Sequence, residues 1–282
     1  MANNSQEIKI DALLPQDMAI KAESIGVSKA KASFTTLFLL AILAGAFIAL
    51  GAIFATVVGT GTSGVIPFGL SKLLMGLVFS LGLILVVVGG AELFTGNNLI
   101  VMAWAGKKIS TLALLRNWLI VYIGNFVGSI GTAIIIVISK QYTFANGELG
   151  KMMLSIANGK VQLGFLEAIA LGTMCNALVC LAVWLTFSAR STTDKIMSII
   201  FPITAFVAAG FEHSVANMYF IPVALLLKAI DPSFAASTGL DISHLTWGAF
   251  LINNLLPVTI GNIIGGTILV GAAYWGIYLR NR

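Results

Sequence analysis

Gly90-Ala91-Glu92-Leu93-Phe94-Thr95-Gly96-Asn97 and Gly210-Phe211-Glu212-His213-Ser214-Val215-Ala216-Asn217 spell one motif twice, G-x-E-x-x-x-(G/A)-N. Each copy interrupts an apolar run long enough to cross a bilayer. A carboxylate at membrane depth costs roughly 2.5 to 3.5 kcal/mol on insertion scales, so two at matching places mark a pore or a substrate site.

The rest of the chain supplies the membrane setting. Its 282 residues are 58% hydrophobic and only 10% charged, with a mean hydropathy of +0.98. Such a composition excludes a soluble domain and names the lipid bilayer as a partner; no nucleic-acid partner is expected. A spanning helix needs about 20 apolar residues. Six segments qualify: Phe34 to Gly59, Pro67 to Ala105, Leu112 to Ser139, Gln162 to Ser188, Ile196 to Ala229 and Trp247 to Tyr278. The second and fifth are too long for one straight helix, and both contain the glutamate motif. The simplest account is a helix that breaks and restarts near Gly96 and Val215. Irregular backbone at membrane depth is tolerated only where protein or a water-filled cavity satisfies it, so the breaks should line the pathway.

A second repeated pattern supports this division. Asn117, Leu119, Val121, Ile123, Gly124, Asn125 and Gly128 recur with the same spacing as Asn254, Leu256, Val258, Ile260, Gly261, Asn262 and Gly265. A weaker echo sets Ala41, Ile42 and Gly45 against Ala168, Ile169 and Gly172. The chain therefore reads as an all-α membrane protein of two three-helix units, 33–139 and 162–279. Three being odd, the second unit enters from the opposite side, an inverted 3+3 repeat whose sites lie near the midplane at broken second and fifth helices. Glycine and alanine at the repeated positions let helix backbones approach closely.

Residues 1–32 hold four acids and four lysines and no secretory signal pattern, and read as a cytoplasmic segment. Its apolar residues suit a short amphipathic surface helix breaking at Pro15. Lysine and arginine are concentrated on the side of Lys21, Lys29, Lys107, Lys108, Arg190, Lys195 and Arg280, which puts both termini, including 280–282, in the cytoplasm. Cys175 and Cys180 share one span with no third thiol anywhere, which excludes disulfide frameworks and thiolate metal sites and leaves small packing residues. No metal and no cofactor are expected.

The runs IPFGLSKLLMGLVFSLGLILVVVGGAELFTGNN (66–98), GFEHSVANMYFIP (210–222) and LPVTIGNIIGG (256–266) resemble the formate/nitrite transporter family, and its formate-channel branch in particular, over nearly the whole chain. The resemblance implies a homopentamer of six-span, aquaporin-like protomers in a bacterial inner membrane. Each protomer, 33–279, would have its own pore, with a mobile N-terminal helix on the cytoplasmic side. The implied activity is passive or pH-gated passage of formate and similar small monovalent weak-acid anions, with nitrite or hydrosulfide, or proton-coupled formate transport, as alternatives.

His213 follows Glu212 at the second break, while the other histidine, His244, lies in a polar loop. An imidazole at that depth can attract an anion when protonated or lend it a proton. The resemblance puts His213 at the pore centre with Thr95 opposite and Asn176 as a hydrogen-bond partner. It also matches Phe79, Leu83, Leu93, Phe94, Val179 and Phe206 to two hydrophobic constrictions, although such residues in a membrane helix more often face lipid or neighbouring helices. Lys160 on its own reads as an interfacial lysine; the resemblance makes it the partner of Glu212 and Asn217 in an electrostatic relay. Glu92, Asn97, Asn125 and Asn262 read as supports for the broken helices, and Asn262 could also face the pore. A coupled transporter shares this architecture and stays open as a rival. A water or glycerol pore would carry Asn-Pro-Ala pairs, which do not occur. An enzyme would need a ligand cluster or a nucleophile and base, which one deep histidine, two cysteines and two separated glutamates do not make.

Overall fold

The computed structural model describes residues 12–282, whose regular structure is all helical, with no strand among them. In chain order they form α1 (Pro15–Lys31), α2 (Phe34–Gly59), α3 (Phe68–Gly89), α4 (the helical stretch 94–105), α5 (Thr111–Ile138), α6 (Glu148–Val161), α7 (Phe165–Ser188), α8 (Thr192–Ala208), α9 (Ser214–Ile230), α10 (Pro232–Ser237) and α11 (Ala249–Tyr278). Five of them, α2, α3, α5, α7 and α11, are long and apolar enough to cross a membrane. The segment from Ile196 to Ala229, expected to break and restart, lies in two helices of 17 residues each, α8 and α9, separated by an extended stretch. Many of the large apolar side chains point outward, Leu39, Leu119 and Ile135 among them, a surface suited to lipid or to other copies rather than to water.

α2 packs between α3 and α5, α3 also packs on α8, and α7 packs on α11. The α2/α5 and α7/α11 contacts are backbone-close. A methyl group on Gly128 would collide with the carbonyl of Ile42, and one on Gly265 with that of Thr173. Small residues thus bring the helices together, as packing in lipid requires. These contacts also fix a register: Phe34 corresponds to Phe165 at the helix starts, and Ile42 to Thr173 at the glycine crossings. The echo pairing Ala41, Ile42 and Gly45 with Ala168, Ile169 and Gly172 is therefore slipped by one helical turn. Apolar small-residue runs look alike at several registers, and only the contacts with the partner helix distinguish them.

Pro15 opens α1 rather than breaking it, because its missing N–H is harmless in a first turn. Ile8 and Ile10 of that amphipathic pattern lie outside the described residues. α1 is no free surface helix: Met18, Ala19, Ala22, Gly26 and Ala30 are buried, and it packs on α4 and α7. Lys21 Nζ donates to the carbonyl of Phe187 at 2.7 Å, and partial burial beside Lys195 and Arg190 pulls its pKa down from the ordinary lysine value. α11 widens to π-helical pitch over Ala249–Leu255 and Gly265–Ala272, irregularities often found at functional sites.

Candidate functional site

The two glutamate motifs build two matching breaks. Gly90 and Gly210 take φ of +80° and +74°, a conformation that ends α3 and the α8 segment at little cost only for glycine. Each is followed by an extended stretch, and the chain turns helical again at Phe94 and Ser214, earlier than the expected restarts near Gly96 and Val215.

The exposed backbone groups of both breaks are bonded by asparagine side chains and by carbonyls of neighbouring helices. Asn125 Nδ2 donates to the carbonyl of Glu92 at 2.9 Å while its Oδ1 accepts from the N–H of Phe94 at 2.9 Å. Asn262 does the same for Glu212 and Ser214, at 2.9 Å each. The N–H of Glu92 donates to Leu40 and that of Glu212 to Leu171, at 3.2 and 3.3 Å.

The carboxylates are held by mirrored clusters. Lys160 Nζ lies 2.6 Å from Glu212 Oε1, and Asn217 Nδ2 donates to Glu212 Oε2 at 2.6 Å and to Asn254 Oδ1 at 2.7 Å. Asn254 Nδ2 returns to the carbonyl of Lys160 at 2.9 Å. In the other half Lys29 Nζ lies 2.9 Å from Glu92 Oε1, Asn97 Nδ2 donates to Glu92 Oε2 at 2.7 Å and to Asn117 Oδ1 at 2.9 Å, and Asn117 Nδ2 returns to the carbonyl of Lys29 at 3.0 Å. Glu92 is thus paired much as Glu212 is. Nothing in the glutamate motifs themselves marks Lys29, Asn117 and Asn254 as members of these clusters. The available signal was spacing, since Lys29 and Lys160 stand equally far before Phe34 and Phe165.

His213 is buried at the start of α9. Its Nδ1 accepts the N–H of Ala216 at 3.0 Å as a helix cap, and its Nε2 lies 3.0 Å from Thr95 Oγ1. In the neutral ring the capping bond assigns the proton to Nε2, which donates to the Thr95 hydroxyl. The breaks therefore meet, one through its histidine and the other through its threonine. Asn176 does not bond to His213. Its Nδ2 reaches the Thr95 carbonyl at 3.3 Å, Asn98 Oδ1 at 2.7 Å and the Asn262 carbonyl at 2.7 Å, so it braces the backbone behind Thr95. In the contact register Asn176 corresponds to Gly45, and the amide is accommodated by Gly266 where the other half has Ser129.

Two cavities approach the centre. One, of about 280 Å³, is bordered by Lys29, Glu92, Leu83 and Leu93, with α1 forming part of its wall. The other, of about 400 Å³, is bordered by Lys160, Glu212, Asn217, His213, Phe79 and Phe206. The rings of Phe79 and Phe206 meet edge-on at 5.6 Å, and Phe206 stacks on His213 at 5.9 Å. Val179 and Phe94 are buried and border neither cavity; Phe94 packs edge-on against Tyr122 at 4.8 Å and Trp118 at 6.1 Å. Leu93, not Phe94, faces a cavity from the first break.

The sequence profile of the formate/nitrite transporter family matches residues 16–276. The chain belongs to the formate/nitrite transporter family. Within it, the chain is 48% identical over 276 residues to the formate channel FocA of Escherichia coli K12, covering 96% of both chains. It is 42% identical to formate channel FocA of Haemophilus influenzae, again covering 96% of both. A solved structure described as a pentameric formate channel with formate bound is 50% identical, with a TM-score of 0.82 over 88% of this chain and 98% of that one. An FNT family ion channel superposes with a TM-score of 0.79 at 26% identity, over 93% of this chain and 98% of that one.

Proposed function

We propose that this protein is a channel for formate and similar small monovalent weak-acid anions. The observation that carries the reading is the centre itself: a buried histidine of fixed tautomer, hydrogen-bonded to Thr95, between two cavities that each hold a lysine–glutamate pair. Relatives named as formate channels support the choice of anion.

In this reading the lysines draw an anion into either cavity. Phe79 and Phe206 form one narrowing and Leu83 and Leu93 the other, excluding hydrated ions because desolvation in an apolar collar is costly. His213 and Thr95 meet the anion between them, where the Nε2–H of the neutral ring donates a hydrogen bond to a carboxylate; passing a proton takes the imidazolium, which forms by protonation at Nδ1 with loss of the Ala216 cap and returns to the neutral ring. The Glu212, Lys160 and Asn217 cluster fixes the charge beside the histidine, and the Glu92, Lys29 and Asn97 cluster does so across the centre. Six spans in an inverted 3+3, aquaporin-like arrangement, with α3/α4 and α8/α9 as the broken second and fifth, place the breaks at the midplane. The assembly is a homopentamer in a bacterial inner membrane with both termini cytoplasmic, and the segment before Ala32 is a candidate for gating because α1 walls the Lys29-side cavity.

The test is a flux panel across proteoliposomes of formate, nitrite, hydrosulfide, chloride and glycerol. Formate is expected to pass fastest and glycerol not above empty vesicles. Rapid glycerol flux, or formate flux no greater than in empty vesicles, would overturn the reading; a preference for nitrite or hydrosulfide would select those alternatives.

A further inference from the structure

The two halves match closely at their glutamates but differ in the charged side chains that border the cavities beside them. Both charged side chains bordering the Lys29-side cavity, Lys29 and Glu92, are paired with each other. On the other side the Lys160 cavity continues into a second cavity of about 560 Å³. Lys72, Met75, Met152 and Ser155 border both. The second cavity adds Lys151 and Glu148, whose charges offset each other. Lys72 is the charged side chain common to the two cavities, and it makes no ion pair or hydrogen bond among the described residues. Its ammonium rests 5.5 Å from the centre of the Phe68 ring, a weak hold in a half-exposed position. Glu212, the acid bordering the same inner cavity, is already engaged by Lys160, Asn217 and Asn254.

From this we propose that Lys72 is an anion-capture site at the junction of the two cavities, taking small monovalent carboxylates and like-sized oxyanions before they reach Lys160. A cation without an ion-pair partner, on the shared border of two cavities and beside apolar Met75 and Met152, focuses the field on whatever anion passes. The Lys29-side cavity has no cation without an acidic partner among its bordering residues; the basic Lys107, Lys108, Arg280 and Arg282 border a separate cavity with Glu23. The inference rests on the channel reading above.

Its signature is electrostatic and therefore salt-dependent. At about 10 mM ionic strength the screening length is about 30 Å and at about 1 M it is about 3 Å. Removing one charge that acts through water over about 7 Å should slow uptake from dilute formate about threefold at low salt and hardly at all at high salt. The experiment is formate uptake into proteoliposomes of the full chain, with wild type, Lys72→Gln, Lys72→Glu and Lys72→Arg, in impermeant salt at both strengths. We expect Gln to be slower than wild type at low salt, Glu slower still, Arg near wild type, and convergence at high salt. Equal rates for wild type and Lys72→Gln at low salt overturn the inference while leaving the channel reading standing. So does a deficit that persists at high salt and is shared by Arg, which assigns the residue to packing. A wild type that passes no small anion overturns both.

Discussion

His213 does two jobs with two nitrogens, and substitutions can separate them. Nδ1 caps α9 through Ala216, and Nε2 meets Thr95. Asparagine is among the best N-caps, so His213→Asn should keep the helix start while removing the titratable ring. His213→Phe loses the cap as well, at a cost of about 1 kcal/mol. The expected outcome is a melting temperature near wild type for Asn and lower for Phe, with the pH dependence of formate flux abolished in both. A wild-type pH profile in His213→Asn would move proton handling to another group. Residue scale also decides Phe94 against Leu93: neighbours in sequence at a break point in opposite directions, and the string of letters does not say which one meets the cavity.

At the scale of elements, each interrupted span is a helix ended by a left-handed glycine and restarted under an asparagine clamp. Gly90→Ala and Gly210→Ala each place a Cβ in the left-handed region, costing about 1 to 2 kcal/mol. Neither position has a neighbour within 4 Å of the added carbon, so the penalty should come from the backbone and not from a clash. Asparagine, which tolerates that region better, should recover part of the loss. Thermal unfolding in detergent reads both effects; an alanine variant as stable as wild type would mean that the breaks owe their shape to Asn125 and Asn262 instead. α1 belongs to this scale as well, since its lysine completes the first break in the way α6 completes the second.

For the whole molecule, the important feature is that one polar cluster occurs twice. Removing one member of a buried ion pair commonly costs about 3 to 5 kcal/mol, because the partner charge is left uncompensated, whereas removing both is far milder. Glu212 and Lys160 are the more enclosed pair, with side-chain exposures of 6% and 17% against 13% and 29% for Glu92 and Lys29. Lys160→Ala should therefore destabilise more than Lys29→Ala, and Glu→Gln in the same half should relieve each. Unfolding midpoints of the two singles and two doubles check this; a double no better than its single would show that the asparagine bonds, and not the charge, hold the cluster. Deleting residues before Ala32 removes Lys29 together with the buried face of α1, so it should destabilise more than Lys29→Ala, and Glu92→Gln should relieve only the charge part of the loss.

The sequence by itself determined that this is a chain of apolar helices carrying its motifs twice, because a spaced run such as Asn117 to Gly128 does not recur by accident at Asn254 to Gly265. It also implied one break within each glutamate motif, because both runs are too long for one straight helix, although the helices restart earlier than it suggested. Tertiary structure decided the partnerships. Lys29 and Glu92 are far apart in sequence and pair only because α1 folds back beneath the first break. Asn176 braces Thr95 instead of touching His213, and α2 and α7 align one turn away from their apparent match. Apolar periodicity is degenerate with respect to register and direction; hydrogen bonds formed across helices are not, and they exist only once the helices have met.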